Sequence, residues 1–156
     1  MDVLRRHGIL PTPQRMAVAE FVLSTDVHPT ADEVWSRVRV HCPTLSRATV
    51  YNTINLLAEK GLLKLQPLRE GAVVVDAHVA PHHHFIDEES GQVFDVPWDA
   101  VKVTAENPLG EFDVREYQVV MRGQRRPSGP SVGSSSAVPS PDTIQAERTS
   151  RRRQHE

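Results

Sequence analysis

The sequence predicts an α+β protein in two parts, an N-terminal winged helix-turn-helix domain and a small C-terminal α/β domain of the kind that dimerises. Three observations predict it. Capped amphipathic helical segments fill residues 13–60 and end in one whose outer face is polar. Two short β-rich runs around a glycine turn follow directly, as a wing does. Past residue 78 the pattern becomes short strands with one helical stretch, until hydrophobes nearly vanish after Gly123. The expected boundaries are therefore 1–77, 78–123 and a tail at 124–156.

Asp2 to His7 reads as a short helical lead stopped by Gly8. Thr12-Pro13 supplies an N-cap and a proline at the first helical position, where its missing N–H costs nothing. Gln14 to Leu23 then carries a broad apolar face of Met16, Val18, Ala19, Phe21, Val22 and Leu23. Thr30 and Glu33 form a capping box that opens a helix from Ala31 to His41, which buries Val34, Val38 and Trp35 and is ended by Pro43.

Ser46 caps the third helix, Arg47 to Lys60, which Gly61 stops. Val50, Ile54 and Leu57 face inward, so Arg47, Thr49, Tyr51, Asn52 and Asn55 face out. Those residue types touch phosphates, base edges and thymine methyls. With Ser46 and Arg15 they form the candidate DNA-contacting set. A structural bundle whose third helix is merely solvated fits the same pattern. Leu62–Pro67 and Ala72–Asp76 read as two strands around Arg69-Glu70-Gly71, the wing.

Further on, Phe85-Ile86 and Val93–Val96 look like paired strands joined by the polar turn Asp87–Gly91. Trp98–Ala105 reads as a short helix, and Val114–Met121 as another strand with alternating apolar residues. From Gln124 onward Pro, Gly and Ser dominate and disorder is expected, with Arg151, Arg152 and Arg153 in a solvated basic tail.

Composition narrows the function classes. The chain has 156 residues, 38% apolar and 24% charged, ordinary for soluble protein. No apolar run approaches the roughly 20 residues a membrane helix needs, and no signal peptide opens the chain, so no membrane partner is expected. The lone Cys42 forbids an internal disulfide and any multi-cysteine zinc site, which fits a reducing cytoplasm. Residues 1–69 hold nine Lys and Arg against six Asp and Glu, whereas 70–123 hold three against eleven. A mildly basic front and an acidic second half suit a polyanion-facing module followed by a cation-holding one.

The cation-holding stretch is Asp76 to Asp95, where four of the eight histidines fall. Alternate side chains of a strand share a face, so His82 and His84 point together while His83 points away. Two imidazoles beside a carboxylate chelate first-row metals, and a mixed nitrogen and oxygen set favours Fe(II) or Mn(II) over structural zinc. A polar His-rich loop that binds nothing is the bland alternative.

The segments L-P-T-P-Q-R, H-P-T-A-D-E-V, S-R-A-T-V-Y-N-T and H-H-H-F-I complete the picture. In their order and spacing the chain resembles the ferric uptake regulator superfamily, from about Leu4 to Gly123 with the tail outside. The resemblance implies a winged-helix domain on double-stranded operator DNA, a C-terminal domain that forms a homodimer, and a regulatory metal in the hinge. It assigns the metal to His28, Asp76, His82, His84 and Asp95, one Fe(II) or Mn(II) per subunit, with Zn(II) able to substitute in vitro.

Departures are informative. Where many members carry C-x-x-C, this chain has Asp87 and Ser90, so no structural zinc is expected and apolar packing of Val93, Phe94, Val114, Val119 and Met121 is expected to hold the dimer. The family's second metal site falls on Pro81, His83, Lys102 and Tyr117 and fails. Aspartates at both carboxylate positions resemble the peroxide-responsive (PerR-like) branch, which implies oxidation of His28 or His82 by peroxide. H-H-H-F without C-x-x-C also resembles the iron-responsive, haem-linked (Irr-like) branch, with Cys42-Pro43 as a haem dipeptide. A metal hydrolase has only Glu88 or Glu89 as spare base, without a nucleophile motif, so no enzyme is expected. A metal-storage module has no use for the third helix.

Overall fold

Side-chain caps decide where the helices begin. The computed structural model describes residues 2–104 and 109–126. Helix α1 spans Asp2–Arg6. The Thr12 hydroxyl oxygen accepts the Arg15 N–H at 3.3 Å and opens α2, Pro13–Ser24. Thr30 and Glu33 close both halves of their capping box, at 3.2 and 2.7 Å, to open α3, Ala31–Val38. Ser46 Oγ takes the Thr49 N–H at 3.1 Å and opens α4, Arg47–Glu59. Gly61, at φ +70°, reverses the chain beyond α4, and the N–H groups of Gly61 and Leu62 bond back to Ala58 and Leu57.

Helix α3 stops short of the expected His41. The residue before a proline is driven out of the α region, and Cys42 precedes Pro43. The chain tightens instead, with the His41 and Cys42 N–H groups sharing the Val38 carbonyl at 3.1 and 3.0 Å.

The wing is β1, Lys64–Arg69, antiparallel to β2, Ala72–Asp76, around Gly71 at φ +68°. β1 starts later than expected and runs past Pro67. The register slips between Gln66 and Arg69, where a residue without an N–H cannot serve the ladder. β3, His83–Asp87, pairs antiparallel with β4, Val93–Val96, placing Phe85 opposite Phe94 and Ile86 opposite Val93. β5, Val120–Gly123, lies parallel to β3, so this sheet is ordered β4-β3-β5.

Two expectations are corrected here. Trp98–Ala105 is not a helix: Trp98–Ala100 forms one 3-10 turn, residues 101–104 are irregular, and Ala105 is outside the described residues. The strand expected over Val114–Met121 is confined to Val120–Gly123. Before β5, among the described residues, the main chain meets β3 only through Val119, whose carbonyl accepts the His84 N–H at 3.0 Å, and Val114 is 53% exposed. The tail expected to be disordered lies outside the described residues from 127 onward.

Strand β2 is the shared wall of two cores. Val75 joins Val18, Val22, Val34, Val50, Ile54 and Leu57 among the helices. Its neighbour Val74 faces the other way, onto Leu68, Ile86 and Val93. The second cluster ties the wing to the β3–β4 hairpin. It also corrects one expected dimer contact, since Val93 is only 4% exposed inside this core. Alternation along β4 marks two faces but does not say which is covered by the chain itself.

Leu57 is fully buried on α4, in the same core as Val50, Ile54 and Val75. Leu57→Ala is expected to cost about 2–5 kcal/mol of stability, read from the urea midpoint, because the cavity cannot close between packed elements. A midpoint unchanged from the wild type would remove Leu57 from the core.

The hairpin turn has its own clip. Asp87 Oδ2 accepts both the hydroxyl and the N–H of Ser90, and Oδ1 accepts the Arg125 N–H at 3.3 Å. The Glu88 N–H adds a 2.8 Å bond to the Gly123 carbonyl. The Ser90 hydroxyl bond, more than burial opposes it, holds the Asp87 carboxyl below its ordinary range, helped by the Arg125, Glu89 and Ser90 N–H groups.

Candidate metal centre

Main-chain pairing brings the candidate donors together. The Pro29 carbonyl accepts the Val75 N–H at 2.8 Å, and Thr30 bridges Val74. The loop after α2 therefore runs beside β2 and sets His28 against Asp76, the last residue of that strand. His82 precedes β3 and His84 lies on it, directly opposite Asp95 of β4. His83 points away, as its position on the strand requires: it stacks on Trp98 at 4.6 Å, and its Nδ1 accepts the Val119 N–H.

The donor atoms converge. His28 Nε2 is 2.9 Å from Asp95 Oδ1, His82 Nε2 is 3.0 Å from His84 Nε2, and Asp76 Oδ2 is 3.2 Å from His82 Nε2 and 3.5 Å from His84 Nε2. His28, His82, His84 and Asp95 offer ligand atoms all within 4.8 Å of one another. Donors held at about 2.0–2.2 Å from one ion lie roughly 3 Å or more apart, which these spacings match.

Hydrogen bonding does not account for the cluster. His28 Nε2 and Asp76 Oδ2 are buried without a hydrogen-bond partner, although each has close neighbours. The 2.9 Å contact of His28 with Asp95 is short enough for a hydrogen bond but lacks its alignment. Lone pairs aimed at a common point suit a cation better than they suit one another. The residues fit a first-row ion with nitrogen and oxygen ligands.

Protonation states favour the same conclusion. Burial lowers the His28 pKa, against the pull of Asp95 and Asp76, so the imidazole stays neutral. Desolvation pushes the Asp76 carboxyl up, but the imidazole of His84 beside it, the His78 N–H at 2.8 Å and the neighbouring rings of His82 and His28 outweigh it and hold the carboxyl below its ordinary range. His82 Nδ1 faces the Ala80 carbonyl at 2.8 Å and so carries the proton, leaving Nε2 as a lone pair. The Ala80 contact is invisible in sequence because any residue supplies a carbonyl. Among the described residues, Nδ1 of His84 and of His28 has no such outer partner.

The candidate DNA-contacting residues divide. Arg47, Tyr51, Asn52 and Asn55 are exposed on α4. Ser46 and Thr49 are engaged with each other at 2.9 Å in the helix cap, and Arg15 donates to the Leu10 carbonyl at 3.2 Å. Arg47 rests on the Trp35 ring, 4.5 Å from its centre, and lies 3.5 Å from Asp32. Thr53, unmarked by the apolar pattern, is buried and bonds the Thr49 carbonyl at 2.7 Å. Cys42 is half-buried against the helical core. Among the described residues no helix is long and apolar enough to cross a membrane.

Comparison with known proteins agrees with this architecture. The chain is 30% identical over 123 residues to the peroxide-responsive repressor PerR of Staphylococcus saprophyticus, covering 77% of this chain and 82% of that protein. The PerR of Staphylococcus epidermidis is also 30% identical, with 77% and 81% covered. Among solved structures, a zinc-bound manganese uptake regulator superposes with a TM-score of 0.62 at 20% identity, over 80% of this chain and 97% of that one. The Campylobacter jejuni peroxide stress regulator gives 0.57 at 23% identity, over 82% and 97%. At these identities the structures speak for the fold alone, a winged-helix part followed by a smaller α/β part. The model of the ferric uptake regulator family matches residues 6–122, a span that includes both sheets and each of the candidate donors, and the chain belongs to that family.

Proposed function

We propose that the protein is a peroxide-sensing, metal-dependent repressor that holds one Fe(II) or Mn(II) per subunit among His28, Asp76, His82, His84 and Asp95. Family membership makes it a metal-responsive transcription regulator and not an enzyme. The observation that carries the finer reading is the convergence of donor atoms from a loop, β2 and the β3–β4 hairpin, among which His28 Nε2 and Asp76 Oδ2 are buried without a hydrogen-bond partner. The resemblance to peroxide-responsive repressors supports the choice of signal. Zn(II) is expected to substitute in vitro, and no structural zinc is required.

The proposal divides the labour between residues 1–77 on DNA and 78–123 on the metal and on pairing of subunits. His28 and Asp76 come from the first part, and His82, His84 and Asp95 from the second. An ion gripped by both sets stabilises one arrangement of the two, and only that arrangement presents paired α4 helices to successive grooves of operator DNA. The protein works as a cytoplasmic homodimer in this reading, without a membrane partner.

An electrophoretic shift on operator fragments, with Mn(II) and with chelator, tests it. Tight binding is expected only with Mn(II), and equal affinity in both conditions would overturn the proposal. The α4 surface adds a second expectation. Tyr51→Ala relaxes sequence preference, whereas Arg47→Ala weakens all sequences alike and lowers the salt slope by about one unit. Competition from Asp32 is slight, since an exposed pair is worth at most about 1 kcal/mol. Two variants with wild-type preference and slope would place recognition elsewhere.

A further inference from the structure

His78 belongs to none of the donor positions the family resemblance assigns, yet it touches three of the five residues that carry them. Its main-chain N–H donates to Asp76 Oδ1 at 2.8 Å. Its ring Nδ1 is 3.1 Å from Asp95 Oδ2. The ring itself lies flat on His82, with centroids 4.3 Å apart and planes within 7°. An ionised carboxylate only accepts, so His78 Nδ1 carries the proton in this contact. The side chain is 51% exposed, so it fills no core and its position is explained by these contacts alone.

The contacts fall on particular oxygens. In Asp76 the oxygen tied by the His78 main-chain N–H is Oδ1, which also lies 3.8 Å from His28 Nε2, and the one facing His82 and His84, at 3.2 and 3.5 Å, is Oδ2. In Asp95 the tied oxygen is Oδ2, and Oδ1 faces His28, His82 and His84. We propose that the His78 ring is a positioning group that ties one oxygen of Asp95 and leaves the other for the ion, beside a main-chain N–H that does the same for Asp76. His78 thereby holds the exposed carboxylate, Asp95, in register with the buried histidines. The inference rests on the reading of the cluster as a metal centre.

The test uses the full chain and Mn(II) as the probe. Mn(II) affinity is measured by chelator competition for the wild type, His78→Ala, His78→Asn and Asp95→Ala, with circular dichroism to confirm that each is folded. Pulsed electron paramagnetic resonance counts the imidazoles on bound Mn(II). His78→Ala is expected to weaken Mn(II) by about 10–100-fold, as loss of an outer hydrogen-bond partner does, with the imidazole count unchanged. His78→Asn is expected to restore most of that affinity, because the Asn amide nitrogen occupies the place of the imidazole Nδ1 and still donates. A metal simply resting on a solvated histidine predicts no such rescue. If His78→Ala binds like the wild type while Asp95→Ala does not, the positioning role is wrong and the centre stands. If His78→Ala loses one coordinated imidazole, His78 is a ligand and the positioning role is again wrong. Wild-type affinity in Asp95→Ala would overturn the reading of the centre itself, and this inference with it.

Discussion

Asp95→Ala or His82→Ala is expected to abolish metal-dependent operator binding while leaving a folded protein. Asp95 is 37% exposed at the rim of the cluster, so its removal opens no apolar cavity. It does remove the carboxylate nearest His28, at 2.9 Å, and with it the link between the α2–α3 loop and β4. Losing an outer partner of a ligand already costs about 10–100-fold in metal affinity, and losing a ligand costs more. DNA affinity then falls to the non-specific level, roughly 10⁻⁴ to 10⁻⁶ M at physiological salt. Mn(II) titration, far-ultraviolet circular dichroism and the mobility shift together check this. A folded Asp95→Ala protein that still needs Mn(II) to bind its operator would sink the assignment.

Peroxide is the second test with a large expected effect. A small excess of peroxide should add one oxygen to His28 or His82 in Fe(II)-loaded protein and leave the Mn(II)-loaded protein intact. Bound Fe(II) would supply the redox chemistry that splits peroxide, so that one oxygen enters the imidazole and the other leaves as water with the histidine as the two-electron reductant. Mn(II) is not expected to support it. The chain's own geometry ranks the targets. The open side of the cluster is at Asp95, and His28 and His82 stand 2.9 and 3.5 Å from its Oδ1, against 4.0 Å for the fully buried His84. Cys42 is a poor competitor, half-buried against the helical core and without a second thiol. Loss of one nitrogen donor releases the grip between the two parts, and operator affinity falls with the modified fraction. Mass spectrometry of tryptic peptides reads the outcome. Unmodified histidines, with DNA binding lost on haem addition instead, would move the signal from peroxide to haem.

Much of this was legible because the governing interactions are local. Thr12, Thr30 and Ser46 announce their helices three residues ahead through the N–H each one accepts. His82 and His84 share a face for the same reason, the two-residue period of a strand. The features that escaped depend on main-chain partners distant in sequence. His28 meets Asp76 because the Pro29 carbonyl accepts the Val75 N–H, a bond that leaves no mark on side-chain chemistry. Without the family resemblance, nothing local pointed to His28. The parallel pairing of β5 with β3 was equally hidden, as was the burial of Val93 within the chain. His78 was in plain sight but looked like any exposed histidine, since its meaning lies in which oxygen of Asp95 it holds.

The clip at Asp87 has a physiological corollary. Its contacts are carboxylate, hydroxyl and amide, so an oxidant finds no sulfur to attack there and a chelator finds nothing to extract. Acid is the reagent that reaches it. With the Asp87 carboxyl held below its ordinary range, the clip contributes fully at neutral pH and fades only as pH falls through that depressed pKa. An oxidant or a chelator therefore has no point of attack in these contacts of the β3–β4 turn. The turn joining the strands that carry His84 and Asp95 answers to acid alone.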